Sequence, residues 1–466
     1  MIAQCACYAL LMLALATSSV LAEEPPSVLT LDDAITIVLS ENPLGQIAKE
    51  DVLAAEHGRK AARGEFLPKL KNQFQFSSLS ELPTISLPAN PSIPVTGYAV
   101  GEGGVQYPLI AETVRTPSRE LAIGDEQQIT ITTTLEQPLF TGMALLAQYQ
   151  LANLDKNEAE IREESTRQGL IFRTHEAFFA VLVAERYLEV AGQAVQQLES
   201  HAEVAREFFS VGVIPKNDLL KVLVQLADTK QKRIEAAHRL DIARSSFNTL
   251  LRRDIAAPVR LKDILVSKEY TRSMEECTET ALKHNPDVLL SSVRIKKADK
   301  GITLARSGFY PTVGLAGALL HEDGTFAEAG MIWSASVQTQ WAIWEWGSNY
   351  YRMKQSQVRK SMAESQLSSI VDRVRLEVRQ AYLSVQEWKE ALEVAKTSIE
   401  QAEENFRITE ERFKATVTTS TEVLDAQTML AQARVNYYSA LSNLNVAQAK
   451  LEQSMGTLKA NKAERK

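Results

Sequence analysis

The stretch that decides the fold is "LDDAITIVLSENP", residues 31–43, because a worn copy of it, "MEECTETALKHNP", occupies residues 274–286. The match continues without a gap, since "ARGEFLP" at residues 62–68 lies 243 positions before "ARSGFYP" at residues 305–311. Self-similarity over such a distance indicates that a whole structural unit has been duplicated.

Residues 1–22 are predicted to form a cleaved signal peptide, because they are apolar and end in small residues placed for signal peptidase. The alternative is an uncleaved amphipathic start. Cleavage would remove Cys5 and Cys7 and leave Cys277 as the remaining cysteine, which excludes an intrachain disulfide in the mature chain.

The composition after residue 22 narrows the class of protein. No apolar run approaches the ~18 to 20 residues that a membrane-spanning helix needs. An exported membrane protein with this sequence would therefore have to use β-strands. The formal net charge of −7 argues against nucleic acid as a partner, because nucleic-acid binders carry basic surfaces.

Alternating residues predict two β-hairpins, one in each repeat. In "MIWSASVQTQW", residues 331–341, Trp333 and Trp341 share one face, while Ile, Ser and Gln lie on the other. Their separation along a strand is about 26 Å, close to the apolar band of an outer-membrane barrel with an aromatic residue at each interface. We therefore predict Trp333 and Trp341 as membrane-interface aromatics; the alternative is a strand of a soluble sandwich with both Trp in its core. The predicted strands cover about 69–77, 127–137, 312–321 and 331–342.

Most of the remaining sequence in each repeat is predicted to be helix of unusual length. Between Val374 and Phe406, apolar residues recur every three or four positions, and the copy from Leu170 to Ala202 has only Thr174 as a polar member. Such a period, sustained over four or more heptads, indicates a left-handed coiled-coil seam. The longer helices would each be on the order of 100 Å long. The predicted helices cover 143–211 and 218–251 in the first repeat and 348–414 and 422–455 in the second.

The first repeat, residues 23–253, is longer than the second, residues 254–456. The offset between equivalent positions falls from 243 to 204, and the extra sequence lies around residues 77–127. This stretch is rich in proline and is predicted to be a long exposed loop, a plain surface insertion being favoured over a binding role. Residues 457–466 are predicted to be a disordered basic tail.

Four strands are too few to close a barrel in lipid, where an open sheet edge would leave N–H and C=O groups unpaired. Several chains must therefore pool their strands. Three copies would give twelve strands around a lumen, and the same pooling would arrange the helices into a second tube. The duplicated unit would then give each chain two similar segments of a pseudo-symmetric barrel wall.

With the paired "L-x-x-A…N-P" and "F-x-P" segments, "PLFTG" at Pro138–Gly142 and "TEVLDAQ" at Thr421–Gln427, the sequence resembles the outer-membrane efflux protein (TolC) family. The resemblance implies a mainly α fold with transmembrane β: a homotrimer whose twelve-stranded outer-membrane β-barrel, four strands per chain, continues into a long α-helical periplasmic barrel.

The resemblance also implies the function and the partners. The expected function is an outer-membrane channel of a tripartite efflux or type I secretion system, located in the cell outer membrane with a long periplasmic extension. The expected partners are a periplasmic adaptor (membrane fusion protein), an inner-membrane transporter of the RND, ABC or MFS type, and outer-membrane lipid. The alternative is a soluble periplasmic coiled-coil scaffold or adaptor protein, which would have no use for four alternating strands.

The resemblance places a pore constriction near the start of the last helix. Glu422 and Asp425 lie one helical turn apart, and in the family the corresponding pair forms an acidic ring at the closed periplasmic end. The alternative is a pair of exposed acids that the helix dipole stabilises. Asp218 matches a family position in the links that hold this gate shut. Thr418 and Phe413 stand where the family's best-known member has Arg and Tyr, so a charged latch through Thr418 cannot form.

The helices break at residues 210–218 and 414–422, and the tips Gly212 to Asp218 and Thr416 to Glu422 are predicted to meet the hairpin tips of the adaptor. Gly212 would allow close backbone approach there. The predicted docking residues are Gly212, Val213, Pro215, Thr416, Val417 and Thr419. We predict no catalytic residue, no cofactor and no metal site, because the six His show no ligand spacing and Cys277 fits a buried small residue.

Overall fold

The structure, a computed structural model, describes residues 28–87, 96–110, 118–267, 269–323 and 330–459. The predicted signal peptide therefore lies outside the described residues. The helices and strands, in chain order, are α1 (Leu31–Glu41), α2 (Pro43–Gly64), β1 (Lys69–Ser78), β2 (Thr84–Leu87), β3 (Thr96–Val100), β4 (Gln106–Ile110), β5 (Arg119–Ala122), β6 (Gln127–Phe140), α3 (Ala144–Ser210), α4 (Lys216–Leu250), α5 (Met274–His284), α6 (Pro286–Ser307), β7 (Thr312–Asp323), β8 (Gly330–Gln340), α7 (Ser348–Lys414) and α8 (Ser420–Ser454).

The duplication is preserved residue by residue in the helices. The four helices of the first repeat are 11, 22, 67 and 35 residues long, and so are those of the second. The ends of α3 lie one residue inside the predicted bounds, and α7 has the predicted bounds. Both α4 and α8 begin two residues before their predicted starts, because Pro215 and Thr419 already have the extended backbone of an N-cap.

Residues 31–43 and their copy at residues 274–286 form the same local structure. Each short helix begins with a capping box, Thr30 with Asp33 in α1 and Ser273 with Glu276 in α5. Each ends at an Asn, and in α5 the side-chain amide of Asn285 donates a hydrogen bond of 2.8 Å to the carbonyl oxygen of Ser454. Asn42 makes the equivalent bond to Leu250, at 3.3 Å. The repeated Asn therefore ties each short helix to the C-terminal end of the returning helix α4 or α8.

Left-handed backbone also recurs at equivalent positions. Four pairs of residues, 204 positions apart, have positive φ at helix ends, and each pair contains one glycine. The fold, and not the residue type alone, therefore imposes this backbone conformation. The pairs are Gly142 and Trp346, Met143 and Gly347, Gly212 and Thr416, and Arg252 and Gly456.

The chain divides into two compact units. The helical unit comprises the described residues of Met1–Gly58, Ala152–Asp299 and Val358–Lys466. Its core follows the predicted seams. Thr174, the one polar seam residue, is fully buried because its hydroxyl donates to the carbonyl oxygen of Leu170 at 2.8 Å. The buried apolar seam residues include Leu170, Val181, Val195 and Leu198 in α3 and Val374, Val378, Val385 and Leu392 in α7.

The prediction of a disordered tail over residues 457–466 is wrong for its first residues. Leu458 is 2% exposed and packs in one cluster with Ile35, Ile171 and Ala449. Burying a Leu side chain stabilises by roughly 1.5–3 kcal/mol, which keeps this part of the chain ordered. Residues 460–466 lie outside the described residues.

The second unit, Arg59–Leu151 and Lys300–Gln357, contains a four-stranded antiparallel sheet with the order β1-β6-β7-β8. The two predicted hairpins are therefore present, and β6 and β7 join them. Among the described strands, β1 and β8 are the edges of this sheet. The last strand ends at Gln340, before the predicted 342, and the indole Nε1 of Trp341 donates to the carbonyl oxygen of Phe309 at 3.2 Å.

The prediction that residues 77–127 form a loop is wrong where the structure describes them. β2 pairs with β5, and β3 pairs with β4, both antiparallel. In both ladders the paired positions are symmetric about Gly103. Prolines are compatible with such a two-stranded ribbon because its outer edges need no N–H donor: Pro108 lies inside β4, and Pro83 accepts a bond from Ile123.

Candidate functional site

The four-stranded sheet has one apolar face. Its register continues across all strands, so that Leu319 pairs with Thr133 on one side and with Trp333 on the other. Because successive residues of a strand point to opposite faces, this register divides the side chains into two sets. The exposed large apolar residues of the first face are Leu70, Phe74, Phe76, Leu135, Leu315, Leu319, Met331, Trp333 and Val337.

The opposite face is mainly polar. Lys71 and Glu136 form an ion pair of 2.8 Å on it, and Leu320 and Ile332 are apolar exceptions. Its uncharged polar residues include Gln73, Gln75, Thr130, Thr132, Thr134, Ser334, Ser336 and Gln338. Such an amphipathic sheet can separate an apolar environment from an aqueous one.

Exposed aromatic residues are concentrated where β8 leads into α7. Trp333 and Trp341, the two predicted interface aromatics, are both exposed. Sequence reasoning missed Trp344 and Trp346, which are 74% and 88% exposed and have ring centroids 6.0 Å apart. Five Trp and Tyr residues within residues 341–351 were a signal that could have found them. Trp and Tyr favour the interface of a membrane, where an apolar ring meets a polar edge.

Two turns contain the predicted docking residues: tip 1, residues 211–215, between α3 and α4, and tip 2, residues 415–419, between α7 and α8. In tip 1 the amide of Gly212 bonds to Phe209 O, and that of Val213 bonds to Phe208 O. The amides of Thr416 and Val417 make the equivalent bonds in tip 2. Both tips therefore have the same helix-terminating motif.

The two tips differ in the residue at the left-handed position. Gly212 has φ 78° and Thr416 has φ 60°. A Cβ at residue 212 would meet no atom within 4 Å in this chain, so the backbone conformation accounts for this glycine and close packing within the chain does not. Val213 and Val417 are exposed, while Pro215 and Thr419 occupy the N-cap positions of α4 and α8.

A groove of ≈520 Å³ lies beside the tips, between the first turns of α4 and α8. Its apolar lining comes from Leu220, Val224 and Leu424. Its polar lining includes Lys221 and Asp425. The lining of the groove thus combines apolar side chains with one charged residue of each sign.

The acidic residues predicted to line a constriction are exposed in the single chain. Glu422 lies in the first turn of α8, and Asp425 lies one turn later. Neither carboxylate has an ion-pair partner among the described residues. Asp218, predicted to link the gate, forms an ion pair of 3.2 Å with Lys221 of its own helix. The acidic-ring and helix-dipole alternatives for Glu422 and Asp425 both stay open.

Phe413 is buried beside tip 2, and Thr418, within tip 2, is half-buried. The ring centroid of Phe413 lies 4.6 Å from that of His201 and 5.4 Å from that of Phe208. The hydroxyl of Thr418 is buried and has no hydrogen-bond partner in the described part of the chain. An unpaired buried hydroxyl costs roughly 1–3 kcal/mol relative to a hydrogen-bonded one.

No sequence pattern indicates a functional role for His201, but the structure places its ring against Phe413. His201 is 5% exposed and its Nε2 lies 2.9 Å from Oγ of Ser420, which is 2% exposed. Burial lowers the pKa of His201 to about 4; Glu410 opposes this effect and Lys414 adds to it. The pairing joins residues 219 positions apart, so no local pattern predicts it.

Cys277 is buried, as predicted. Within the ranges that the structure describes, no group of three or more His, Cys, Asp or Glu side chains could hold a metal ion. None of the helices in those ranges combines the length and apolar character that crossing a membrane requires.

A family model described as "Outer membrane efflux protein" matches residues 104–251 and 278–457, one segment in each repeat. The outer membrane protein TolC of Vibrio cholerae is 23% identical to this chain over 310 residues, which are 65% of this chain and 70% of that protein.

Solved structures of outer membrane channels resemble the chain over most of its length. The CmeC channel of Campylobacter jejuni has a TM-score of 0.74 at 15% identity and covers 92% of this chain and 86% of its own. VceC of Vibrio cholerae has a TM-score of 0.73 at 15% identity, covering 91% and 96%. The open-state MtrE channel of Neisseria gonorrhoeae has a TM-score of 0.72 at 18% identity, covering 92% and 90%. The likeness confirms the predicted fold class.

Proposed function

Since this chain belongs to the outer membrane efflux protein family, we propose that three copies of it form an outer-membrane channel in which each chain contributes four strands to a twelve-stranded β-barrel. The family is one of efflux channels and not of enzymes. The observation that carries the proposal is the four-stranded sheet with two open edges and one exposed apolar face.

The open edges support assembly from several chains. Each unpaired N–H or C=O group in hydrocarbon costs several kcal/mol, so a sheet in lipid must have no free edge. β1 has 10 residues and β8 has 11, so the β8 edge of one chain matches the β1 edge of the next in length. A strand of this length, tilted by about 45°, spans about 25 Å, the height of the apolar band of an outer-membrane barrel.

The two faces of the sheet support its orientation. Trp333, Val337 and Phe74 lie on the apolar face, which would contact lipid. The Lys71–Glu136 ion pair lies on the polar face, which would line a wet lumen. A soluble periplasmic scaffold, the alternative function, would leave the apolar face in water, where it would favour aggregation.

We infer that the tips and the adjacent groove dock a periplasmic adaptor that connects the channel to an inner-membrane transporter of the RND, ABC or MFS type. The support is the exposure of Val213 and Val417 beside a groove with Leu220 and Val224 in its lining. A helical hairpin with apolar tip residues fits such a groove. Either efflux of small molecules or type I secretion of proteins would use the same channel.

A pore constriction at Glu422 and Asp425 is part of the same proposal. Their side chains are exposed on α8, and three chains would bring six carboxylates together. Rings of carboxylates favour the passage and binding of cations.

A pair of variants on one strand tests the barrel. Val337→Lys puts a charge on the apolar face of β8, and Gln338→Lys puts the same charge on the polar face one residue later. Lys at the lipid face costs about 2–4 kcal/mol at the middle of a bilayer. We expect Val337→Lys to lose the heat-sensitive trimer on a gel of unboiled membranes, and Gln338→Lys to keep it and to form channels in planar bilayers. Equal behaviour of the two variants would contradict the assignment of the faces.

A further inference from the structure

One side chain of the first repeat contacts both helices that flank tip 2. His201 of α3 lies against the Phe413 ring near the end of α7 and shares a hydrogen bond of 2.9 Å with Ser420, the first residue of α8. Phe208, two turns along α3, packs on the same Phe413 ring. We call His201, Phe413 and Ser420 the clamp.

The three side chains of the clamp are buried, and two of them share a hydrogen bond. His201, Phe413 and Ser420 are 5%, 2% and 2% exposed, so water reaches none of them freely. Nε2 of His201 and the hydroxyl of Ser420 share one hydrogen bond, and separating them without solvent would leave both of these buried atoms unpaired. Opening of the contact must therefore expose this site to water.

The clamp occurs between the two repeats and has no equivalent within the second. The position 204 residues after His201 is Asn405, and the counterpart of Phe413 is Phe209, which is exposed. Among the residues that the structure describes, this contact therefore joins α3 to the α7–α8 hairpin and is not repeated at the equivalent positions.

We propose that neutral His201 is a positioning residue that holds tip 2 against α3, so that the α7–α8 hairpin can move away from α3 only when the clamp breaks. The proposal rests on the channel function, because it assigns the clamp to the closed state of the periplasmic end. It supplies an uncharged latch at the place where Thr418 cannot make a charged one.

The charge state of His201 gives the clamp a pH dependence. The charged groups that act on the ring are Glu410 and Lys414 of α7, which pair with each other at 2.9 Å; α8 presents the neutral hydroxyl of Ser420. Because burial lowers the pKa of His201 below its unfolded value, the clamp contributes fully above pH 6.5. That contribution is lost as the pH falls from 6.5 through about 4, since a charged imidazole must be hydrated.

The test uses the full-length trimer in detergent and in planar bilayers. Ser420→Ala removes the hydroxyl alone, and His201→Leu removes the imidazole while keeping an apolar side chain of similar size. Ser442→Ala is the matched control, because it makes the same change at another buried serine of α8, more than twenty residues away. Hydrogen exchange of residues 414–424, corrected for the intrinsic rate at each pH, measures the release of tip 2.

We expect Ser420→Ala and His201→Leu to lower the protection of residues 414–424 by about two- to tenfold at pH 7.5, with Ser442→Ala unchanged. Lowering the pH to 4.5 should reduce the protection in the parent and leave His201→Leu unaffected. In bilayers the same two variants should raise the open probability at pH 7.5.

Two results would overturn the clamp: parental protection in both variants at pH 7.5, or a parental pH response that persists in His201→Leu. Loss of protection with an unchanged open probability would show a structural contact and would equally refute the latch. Failure of the parent itself to form channels would refute the proposed function instead, so the two failures are distinguishable.

Discussion

Gly212→Thr tests whether tip 1 is a docking surface, because tip 2 already carries Thr at the equivalent position. Both turns make the same two backbone hydrogen bonds, and both residues have left-handed backbone, with φ 78° at Gly212 and 60° at Thr416. The turn therefore accepts Thr without a change of shape. The substitution should alter only the energy of tip 1 and the surface that it presents.

The energetic cost can be worked out from the structure. A residue with a Cβ costs roughly 1–2 kcal/mol in the left-handed region, while removal of glycine's extra freedom in the unfolded chain returns roughly 0.5–1 kcal/mol. No clash is added, since a Cβ at residue 212 meets nothing within 4 Å. The net loss is about 0.5–1 kcal/mol, which lowers local protection from hydrogen exchange by about two- to fivefold.

The assay compares export from cells, adaptor co-purification and hydrogen exchange of residues 208–214. Gly212→Asn is the matched control, because Asn tolerates the left-handed region and adds a side chain with less strain. If tip 1 docks an adaptor closely, both variants should reduce export at least tenfold while the trimer persists on unboiled gels. Normal export by Gly212→Asn would mean that no partner approaches residue 212, and the reasoning would fail.

Two further predictions concern tip 2. Thr418→Val should stabilise the tip by about 1 kcal/mol, measured by hydrogen exchange, because it replaces a buried unpaired hydroxyl with a methyl group of the same size; a destabilised tip would show that the hydroxyl has a partner. Changing Glu422 and Asp425 together to Ala should weaken the cation preference and the block by multivalent cations in bilayers, with little effect on trimer stability because both side chains are exposed. Unaltered selectivity would favour the helix-dipole alternative.

Regular elements were predictable because their sequence period is a local property. The seams of α3 and α7 gave the helices nearly to the residue, and the alternation in residues 331–341 gave β8 and its exposed Trp333. Proline density within residues 77–127 predicts a loop, but two-stranded ladders form there because their outer edges tolerate proline. A sequence shows which residues lack an N–H donor, but not whether that position faces the paired strand or the outer edge.

The contacts of the candidate site were less predictable because they join distant parts of the chain. Phe413 and Thr418 differ from the residues of the family's best-known member, but the sequence does not show that Phe413 packs on His201 and Phe208. The spacing of His201 excludes a metal-ligand motif, but nothing in its sequence neighbourhood indicates Ser420 as its partner. The pairing of side chains between two helices depends on the rotation of each helix about its axis. A periodic pattern shows which face of a helix is buried, but not which side chains meet there.

The last pair of left-handed positions, Arg252 and Gly456, shows that equivalent backbones can tolerate very different side chains. A Cβ at Gly456 would lie 2.3 Å from the carbonyl oxygen of His284 and 2.9 Å from Cα of Asn285, so the short helix α5 leaves no room for one. Gly456→Ala should therefore destabilise the protein by about 3 kcal/mol, the sum of left-handed strain and a backbone clash, whereas Arg252→Gly should change its stability by less than about 1 kcal/mol. Thermal unfolding of the two variants measures the difference. Similar melting temperatures would mean that α5 can withdraw from the end of α8, and the Asn285–Ser454 bond would then not be the tie that the repeated sequence motif provides.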